Sequence, residues 1–480
     1  MCTKPLDGKG KIRNDRIAER SWMWYHINDW QVFDMHAMIY TFSCPDGEIQ
    51  RVHLVRPSSW EDMELLQPET SDRALDSFAR IYEKFLVPAA PWVFGSLVLF
   101  RLPKDMEVPF SRESRIFGRV SDPLTAAAIG LQKGVSAHGK RIRFRNEQTK
   151  HFWEELDKQR CIRIIRGKLP VTRVIPVGDE TGFLTETKPE AQMKVNGSFF
   201  TMDPFDCATP YDHIGRPFGL FVKNGIVHQP PLFSREAFMV KDDGTVTVEN
   251  PELGDLKIRI GDKTYIHGKN ARIYERPAWA WTPAGRGKRL VIAGNRVEAV
   301  REGGCVPIPG AGFVLCPFDE CDIRPGDPVI YGGLEDVRFG IQVGNSMVRD
   351  GVKTEAFRSR FFNIRGFNRI SFPPCLYPLD YRKSRAARIA IGADRDGKPM
   401  VLWAEGAAKI GHIPGKDSQG ASLADMARIC SELGMVNGVN LDGGGSAQIL
   451  LRNQRSLNIS DRAEDGTETE RPVPMGLTVL

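Results

Sequence analysis

Residues 388–404 read RIAIGADRDGKPMVLWA, in which two apolar runs flank a polar stretch that contains Asp396-Gly397. An Asp-Gly pair between apolar runs predicts a β-hairpin, because glycine readily adopts the positive φ that a two-residue turn needs. Pairs of the same kind recur at Asn224-Gly225 and Asp243-Gly244. Residues 169–480 are therefore predicted to fold as antiparallel or mixed strands joined by short turns.

Two amphipathic stretches predict helices among these strands. From Leu423 to Leu433 the apolar residues fall on one stripe, with Ser422 at the capping position and Gly434 at the end. Ser71 is placed to cap an earlier helix whose apolar residues also have helical spacing. Many strands and few helices favour an α+β fold, in which a domain rich in mixed or antiparallel sheet accompanies a separate N-terminal α+β region.

Length and composition set the domain organisation. The 480 residues suffice for about three domains of ordinary size. A hydrophobic content of 41% and a charged content of 26% exclude a disordered or fibrous chain. Residues 1–21 are predicted to be a flexible tail, residues 22–168 an N-terminal domain of unknown role, and residues 169–480 a second domain.

Signals for export, membrane insertion and metal binding are missing from the sequence. The first residues, MCTKPLDGKGKIRNDRIAER, contain no apolar segment typical of a secretory signal. The longest apolar run, residues 87–100, is shorter than the ~20 residues that a membrane-spanning helix needs. The cysteines form no CxxC pair, and no histidine completes a zinc site with Cys316 and Cys321. We therefore expect a cytoplasmic protein with reduced thiols and no membrane partner.

The densest motif is Val439-Asn-Leu-Asp-Gly-Gly-Gly-Ser446, which is followed by an apolar run. Consecutive glycines leave backbone N–H groups uncovered and let a ligand approach the main chain. Asp442 adds a carboxylate and Ser446 a hydroxyl, and the GxxxxGK[ST] pattern of a P-loop is absent. Two interpretations stay open: a ligand-binding loop, and a tight turn that the Asp442 side chain stabilises.

Three more polar residues stand at the ends of apolar strands. Asn196 lies in the stretch Asn196-Gly-Ser-Phe-Phe200, Arg388 opens the first strand of the 388–404 hairpin, and Glu405 follows the second. A guanidinium at a strand end is suited to a bidentate grip on phosphate. Each residue also has a plain structural alternative: a turn-capping amide for Asn196, a salt bridge for Arg388, and simple solvation for Glu405.

Taken in order, these elements resemble the phosphodiester glycosidase family. Residues 196–200 are similar to its Asn-Gly/Ala-x-Phe-Phe element, residues 388–392 to its Arg-Thr-Ala-Ile-Gly element with Ile in place of Thr, and residues 440–446 to its Asn-Leu-Asp-Gly-Gly-Gly-Ser signature. The closing Arg-Pro-Val-Pro at 471–474 also fits. The likeness extends over about residues 190–480, whereas Glu405 stands where the family has Asp.

The resemblance implies a hydrolase that cleaves the C1–O bond of a sugar-1-phosphodiester, of the N-acetylglucosamine-1-phosphodiester type. The transition state of such a reaction resembles an oxocarbenium ion, which a nearby carboxylate stabilises. Asp442 and Glu405 are then the catalytic carboxylates, Arg388 contacts the phosphate, and Asn196 orients sugar hydroxyls or a water. The remaining substrate- and phosphate-binding candidates are Gly443, Gly444, Gly445, Ser446 and His412. No cofactor is implied, while a divalent cation, the stereochemical outcome and the oligomeric state are left open.

Charge distribution keeps a function of another class open. The formal net charge is +6 for the whole chain, and residues 140–168 alone hold ten basic and four acidic side chains, a surplus of six. This window interleaves arginines with Phe144, Phe152 and Trp153, a pattern typical of a face that binds nucleic acid or another polyanion. The alternative is a solvated strand and helix surface. A third interpretation is an inactive, carbohydrate-binding relative of the glycosidases.

Overall fold

A computed structural model describes residues 23–480, apart from 33–34, 44–46, 70, 90–94, 102–115, 120–135, 139–140, 145–146, 160, 168–172, 179–180, 203–206, 208, 233–234, 277, 343, 358–360, 364–369, 373–383, 407–411, 456–466 and 468. The tail expected at residues 1–21 lies outside the described residues.

The described residues form three α-helices and a large number of short strands. The helices are α1 (Asp72–Ala89), α2 (Glu147–Lys158) and α3 (Leu423–Glu432). The strands up to residue 200 are β1 (Met23–Val32), β2 (Met35–Ser43), β3 (Ile49–Arg56), β4 (Met63–Leu66), β5 (Gly95–Arg101), β6 (Ile116–Arg119), β7 (Ser136–His138), β8 (Arg141–Phe144), β9 (Ile162–Gly167), β10 (Arg173–Val177) and β11 (Met193–Asn196). Those between residues 201 and 335 are β12 (Phe221–Lys223), β13 (Ile226–Gln229), β14 (Ala237–Lys241), β15 (Val246–Glu249), β16 (Lys257–Ile260), β17 (Lys263–Tyr265), β18 (Ala271–Glu275), β19 (Lys288–Ala293), β20 (Arg296–Glu302), β21 (Gly312–Pro317) and β22 (Val329–Gly332). The last are β23 (Val337–Gln342), β24 (Ser346–Arg349), β25 (Val352–Lys353), β26 (Phe361–Asn363), β27 (Ile370–Phe372), β28 (Arg388–Ala393), β29 (Pro399–Ala404), β30 (Asn437–Asn440), β31 (Ile449–Leu451), β32 (Gln454–Arg455) and β33 (Gly476–Val479).

The largest sheet has eight strands in the order β1-β2-β3-β29-β28-β30-β24-β25 and is called the central sheet below. Neighbouring strands pair antiparallel throughout its length. Every residue of β28 and β29 is buried. A strand buried on both faces lies between two layers of apolar side chains, so this hairpin forms the middle of the fold.

Each face of the central sheet packs against a different core. Ile389, Ile391 and Trp403 belong to the larger hydrophobic cluster, which extends into the neighbouring sheets. Ala390 and Leu402 point the other way and pack with the apolar stripe of α3. This division follows from the alternation of side chains along a strand, and it determines on which face each polar residue at the strand ends lies.

A second sheet, of order β32-β31-β11-β33-β4, carries Asn196 at the end of β11. Five-stranded (β13-β12-β23-β14-β15) and four-stranded (β18-β21-β19-β20) sheets come from the long stretch between Asn196 and Arg388. Smaller sheets have the orders β10-β5-β9, β17-β16-β22, β6-β8-β7 and β26-β27. The pair β10–β5 is parallel, so the sheets are predominantly but not wholly antiparallel. The prediction of a sheet-rich fold with few helices is confirmed.

The local predictions for turns and helices are also confirmed. Asn224-Gly225 joins β12 to β13, Asp243-Gly244 lies between β14 and β15, and Asp396-Gly397 between β28 and β29. Ser422 caps α3 in a full capping box with Asp425. Ser71 Oγ accepts the Ala74 N–H at 3.3 Å at the start of α1. None of the helices in the described part of the chain is long and apolar enough to cross a membrane.

The expected separation of the N-terminal region is not confirmed. β3 pairs with β29, with Leu54 opposite Leu402, and β4 pairs with β33, with Met63 opposite Val479. Strands from both sides of residue 169 therefore share two sheets and their cores. Strand pairing between distant parts of a chain leaves no local signal in the sequence, so the N-terminal strands were predicted to form a separate region. The boundary at residue 169 itself stays a prediction.

Two aromatic residues of the basic window 140–168, Phe152 and Trp153, do not face solvent. Phe152 and Trp153 on α2 are buried and pack edge-to-face against Phe100. Lys150 and Lys158 pair with acidic residues of the same helix, at 3.3 and 2.7 Å. Buried rings cannot stack on bases, so Phe152 and Trp153 give no support to a nucleic-acid face and belong to a helix packed on a core.

The shared sheets predict that residues 169–480 do not fold alone. Without β3 and β4, the edges of β29 and β33 lose their partners and the apolar faces beneath them are exposed. Thermal unfolding followed by circular dichroism should show no cooperative transition for a 169–480 fragment, in contrast to the full chain. A cooperative transition near the melting temperature of the full chain would contradict this expectation.

Candidate active site

The candidate residues gather at one edge of the central sheet. Arg388 begins β28, whereas Ala404 ends β29 and Asn440 ends β30. Because β28 is antiparallel to both neighbours, its first residue lies beside their last ones. Glu405 and Asp442 follow directly after those ends, so three residues distant in sequence meet at this edge.

Asn196 joins the second sheet to the glycine-rich loop at this edge. Its Nδ2 donates to the Asp442 carbonyl at 2.9 Å, and its Oδ1 accepts the Gln448 N–H at 2.8 Å. The Asp442 N–H in turn donates to the Gly197 carbonyl at 3.0 Å. Asn196 is 1% exposed. Both the oxygen and the nitrogen of its amide bond to backbone groups. In this structure it positions the loop, while contact with sugar hydroxyls or a water stays a prediction.

Two of the three glycines are required by geometry. A Cβ on Gly443 would lie 2.7 Å from the Ala387 carbonyl oxygen, and Gly444 has a φ of +62°, which favours glycine. The Gly444 N–H donates to the same Ala387 carbonyl at 2.8 Å, and Gly444–Ser446 form a single 3₁₀ turn. Within the described residues, the N–H groups of Gly443 and Gly445 donate to no acceptor. These two amides are the ones available to an anion.

The Arg388 guanidinium is held beside this loop. Its Nε donates to the Ala421 carbonyl and its Nη2 to the Ser384 carbonyl, both at 3.2 Å. Its Nη1 lies 3.6 Å from the position that a Cβ on Gly443 would occupy. The side chain is 3% exposed. A buried cation held by backbone carbonyls contributes a preorganised positive charge next to the free amides.

A second guanidinium approaches the loop from the other side. Arg471 Nη1 donates to Ser446 Oγ at 3.4 Å and contacts Met202 Sδ at 3.0 Å. The Arg471 carbonyl accepts from Gln448 Nε2 at 2.9 Å, which ties it to the strand that follows the loop. Ser446 and Arg471 are both buried. The loop therefore has one guanidinium near Gly443 and another near Ser446.

Glu405 is fully buried, which excludes simple solvation as the reason for a carboxylate here. Its Oε1 lies 2.7 Å from His53 Nε2 and its Oε2 lies 3.1 Å from Arg51 Nη1, so both oxygens have partners. Both partners lie on β3. His53 also packs against the ring of Trp403, with 4.7 Å between ring centroids.

The structure does not bring Glu405 and Arg388 to the same face of the sheet. Arg388 is opposite Ala404, and Ala404 packs in the core beneath α3. Trp403, two residues before Glu405, belongs to the larger core on the other face. Because alternate residues of a strand share a face, Glu405 lies with Trp403, and Arg388 points to the opposite side.

His412 lies in the loop that runs beside the start of β3. Its Nε2 is 3.2 Å from Glu48 Oε2, whereas its buried Nδ1 has no partner. No contact joins it to the glycine-rich loop among the described residues. Its proposed contact with substrate stays a prediction.

Among the described residues, this edge holds no cluster of metal ligands. No group of three or more His, Cys, Asp or Glu side chains within the described ranges could hold a metal ion. A histidine with a strongly shifted pKa is His213, whose pKa is lowered to about 3 by burial and by Arg216. Its Nε2 accepts the Arg216 Nε–H at 2.8 Å, so it stabilises a buried network in another part of the fold.

Comparison with known proteins agrees with this arrangement. Residues 317–480 match the sequence model of the phosphodiester glycosidase family. The resemblance is confirmed for this part of the chain, which is similar to the phosphodiester glycosidases. The match includes Arg388, Glu405 and the glycine-rich loop, whereas Asn196 and β3 lie before it.

Named relatives share limited parts of their length with this chain. It is 36% identical over 194 residues to the N-acetylglucosamine-1-phosphodiester alpha-N-acetylglucosaminidase of Bos taurus, a match that covers 35% of each protein. The enzyme of the same name from Homo sapiens is 35% identical over 80 residues, 17% of this chain and 14% of its own. The chain thus matches about a third or less of these relatives.

Solved structures are similar only at low scores. The catalytic domain of the zebrafish N-acetylglucosamine-1-phosphodiester alpha-N-acetylglucosaminidase, auto-inhibited by its pro-peptide, has a TM-score of 0.33 at 11% identity, covering 93% of this chain and 82% of that one. A hypothetical protein from Synechocystis has a TM-score of 0.35 at 14% identity, covering 98% and 84%. At these scores the likeness carries no argument about the site.

Several residues at this edge were not assigned from the sequence. Arg51 and His53 alternate on a strand with no motif, and Arg471 was noted only as part of a closing element. Ser198, two residues after Asn196, has a buried hydroxyl that donates to and accepts from no described group. A buried polar atom without a partner is uncommon away from functional sites. Only Arg471 had a sequence signal, through the resemblance.

Asn196 is predicted to be needed for stability because it holds the loop. Asn196→Ala removes two buried hydrogen bonds and leaves the Gln448 N–H without an acceptor, which should lower the free energy of unfolding by about 2–4 kcal/mol. Asn196→Asp should be as damaging, since a carboxylate oxygen would face the Asp442 carbonyl. Urea unfolding measures both effects.

A matched control for Asn196 exists at the start of β30, the end that lies away from the glycine-rich loop. Asn437 is also buried, accepts the Asp350 N–H at 2.8 Å and donates to the Val246 carbonyl at 3.4 Å. Asn437→Ala should therefore lower stability to a similar extent. Unfolding of Asn196→Ala like that of the unmodified protein would show that its amide does not hold the loop.

Proposed function

We propose that this protein is a hydrolase that cleaves the glycosidic C1–O bond of a sugar-1-phosphodiester, releasing the sugar and a phosphomonoester. The observation that carries the proposal is the convergence of Arg388, the free glycine amides and Asp442 at one edge of the central sheet, within a phosphodiester glycosidase domain. The names of the matched relatives specify N-acetylglucosamine-1-phosphodiesters, so this is the substrate class that we propose first.

The phosphate is proposed to lie between the guanidinium of Arg388 and the N–H groups of Gly443 and Gly445. The departing phosphate ester is a weak base, so it needs its negative charge bound more than it needs a proton. Preorganised donors aimed at such a charge contribute about 3 kcal/mol each to lowering the barrier. Ser446, with Arg471 behind it, would add a hydroxyl donor.

Asp442 is the carboxylate that we propose acts at the anomeric carbon. Glu405 lies on the face of the sheet opposite to Arg388, which favours Asp442 of the two candidates. In the overall reaction a water oxygen bonds to C1, and the electrons of the broken C1–O bond leave with the phosphate oxygen. Asp442 would stabilise the positive charge that develops at C1. It would also act either as the general base that activates the water or as the nucleophile that attacks C1.

Replacing Arg388 should abolish most of the activity without unfolding the protein. Arg388→Ala removes the positive charge beside the phosphate, so kcat/KM for an N-acetylglucosamine-1-phosphodiester should fall by about 10²–10³-fold. Arg385 provides a matched control. It lies three residues before Arg388, donates to the Gly420 carbonyl at 3.1 Å and is more exposed. Arg385→Ala should keep near full activity, and equal losses in both variants would remove Arg388 from the phosphate site.

Replacing Asp442 by Asn should lower kcat by about 10²–10⁴-fold, because the amide cannot stabilise positive charge at C1 or accept a proton. The control is Asp394→Asn at the opposite end of the β28–β29 hairpin, where Asp394 pairs with Arg56 at 2.9 Å. Released sugar is the readout. A loss no greater in Asp442→Asn than in Asp394→Asn would mean that Asp442 only stabilises the turn.

A binding function without catalysis is the second candidate, since relatives can keep a fold and lose activity. Calorimetric titration with N-acetylglucosamine-1-phosphate, alongside the turnover assay, distinguishes the two. Binding without release of sugar from any phosphodiester would favour the carbohydrate-binding relative.

A further inference from the structure

The buried carboxylate Glu405 and its two partners on β3 are not used by the proposed chemistry. They nevertheless form a cluster of three ionisable side chains at the same sheet edge, with exposed side-chain fractions of 0% for Glu405, 3% for His53 and 21% for Arg51. An ionised group so buried persists only where it is paired and hydrogen-bonded, so the three side chains depend on one another.

Glu405 is fixed by its backbone as well as by its side chain. Its N–H donates to the Arg51 carbonyl at 3.0 Å, and its carbonyl accepts from Ser418 Oγ at 3.0 Å and from Gln50 Nε2 at 3.3 Å. Arg51 also donates from Nη2 to the Lys416 carbonyl. Residue 405 is therefore held through every polar group that it has, and the 416–418 loop is held with it.

This fixed point is in contact with the proposed phosphate site. Gly406 packs so closely on Ala387 that a Cβ on it would lie 2.4 Å from the Ala387 nitrogen. The Ala387 carbonyl accepts the Gly444 N–H at 2.8 Å, and the next residue is Arg388. A displacement of residues 405–406 would therefore move the backbone that carries both the guanidinium and the glycine-rich loop.

We propose that Arg51 and His53 are positioning residues for the phosphate site: by holding the Glu405 carboxylate they fix Gly406 against Ala387, and thereby fix Arg388 and Gly444. The inference rests on the proposed function, and it assigns to an N-terminal strand a part in a site whose other residues lie more than a hundred positions later. Neither side chain touches the substrate, because both lie on the face of the sheet opposite to Arg388.

The test compares two arginines of the same strand in the full-length protein. Arg51 pairs with Glu405 at 3.1 Å, and Arg56, at the other end of β3, pairs with Asp394 at 2.9 Å and is similarly exposed. Arg51→Met and Arg56→Met each remove one ion pair from β3, but only the first involves Glu405, whose neighbour Gly406 packs on Ala387. His53→Gln accompanies them, because it removes the ring from Glu405 while keeping a hydrogen-bond donor.

Three quantities are measured for each variant: the melting temperature, the affinity for inorganic phosphate by calorimetry, and kcat/KM for an N-acetylglucosamine-1-phosphodiester. Arg51→Met should weaken phosphate binding and lower kcat/KM by about tenfold or more, the size of loss that a misplaced binding group causes. His53→Gln should have a smaller effect in the same direction. Arg56→Met should change phosphate affinity and kcat/KM by less than about twofold at a comparable loss of melting temperature.

Arg51→Lys covers the case in which Arg51→Met does not fold. Lysine keeps the charge but cannot contact Glu405 and the Lys416 carbonyl with two separate nitrogens, so an intermediate loss of kcat/KM is expected. Phosphate affinity and turnover equal to those of the unmodified protein in a folded Arg51→Lys variant, or equal losses in Arg51→Met and Arg56→Met, would overturn the inference.

The same measurements separate this inference from the proposed function. If the unmodified protein releases no sugar but binds phosphate, and Arg51→Met alone weakens that binding, then the proposed hydrolysis is wrong and the positioning role stands. If sugar is released at an unchanged rate by Arg51→Met, the hydrolase stands and the positioning role is wrong. An unmodified protein that neither binds phosphate nor releases sugar would overturn both.

Discussion

The position of β28 between β29 and β30 is the constraint on which the rest of the site depends. All six of its residues are buried and hydrogen-bonded across to one neighbour or both. The spacing is tight enough that a Cβ on Gly392 would lie 2.2 Å from the Asn437 carbonyl oxygen. A strand held on both edges and both faces is a rigid support, and groups placed just past its end inherit that rigidity. The glycine-rich loop is anchored there through the Ala387 carbonyl.

The sheet also keeps two charged clusters apart. On one face Glu405 contacts Arg51 and His53, and on the other Arg388 donates to backbone carbonyls. Glu405 is thus paired with a different arginine, on the face of the sheet opposite to Arg388.

Local sequence signals were sufficient for the turns and for α3. Asp396-Gly397 and the Ser422–Asp425 capping box act over a few residues, so their effect can be deduced from neighbouring positions alone. The resemblance placed Arg388 and Asp442 at a common site. It could not show that the Asn196 amide would be used on the backbone of the glycine-rich loop, since that depends on how two sheets dock.

The pairing of β3 with β29 could not be deduced in the same way. Arg51 and His53 show only a polar–apolar alternation, which is typical of many strands with one buried face. Nothing in one sequence identifies which of the many other strands lies beside them. The N-terminal region therefore looked separate, and the partners of Glu405 were missed.

The distance along the chain between β3 and its partner has a consequence during synthesis. His53 and Glu405 are 352 residues apart, so at about 5–20 residues per second the ribosome needs roughly 20–70 s to supply the carboxylate after the histidine has been made. Throughout that interval one edge of β3 is unpaired, and β4 waits longer still for β33. The nascent chain therefore has to keep β3 and β4 unpaired at these edges until β29 and β33 have been made, and a factor that shields exposed strand edges would act on them in this interval.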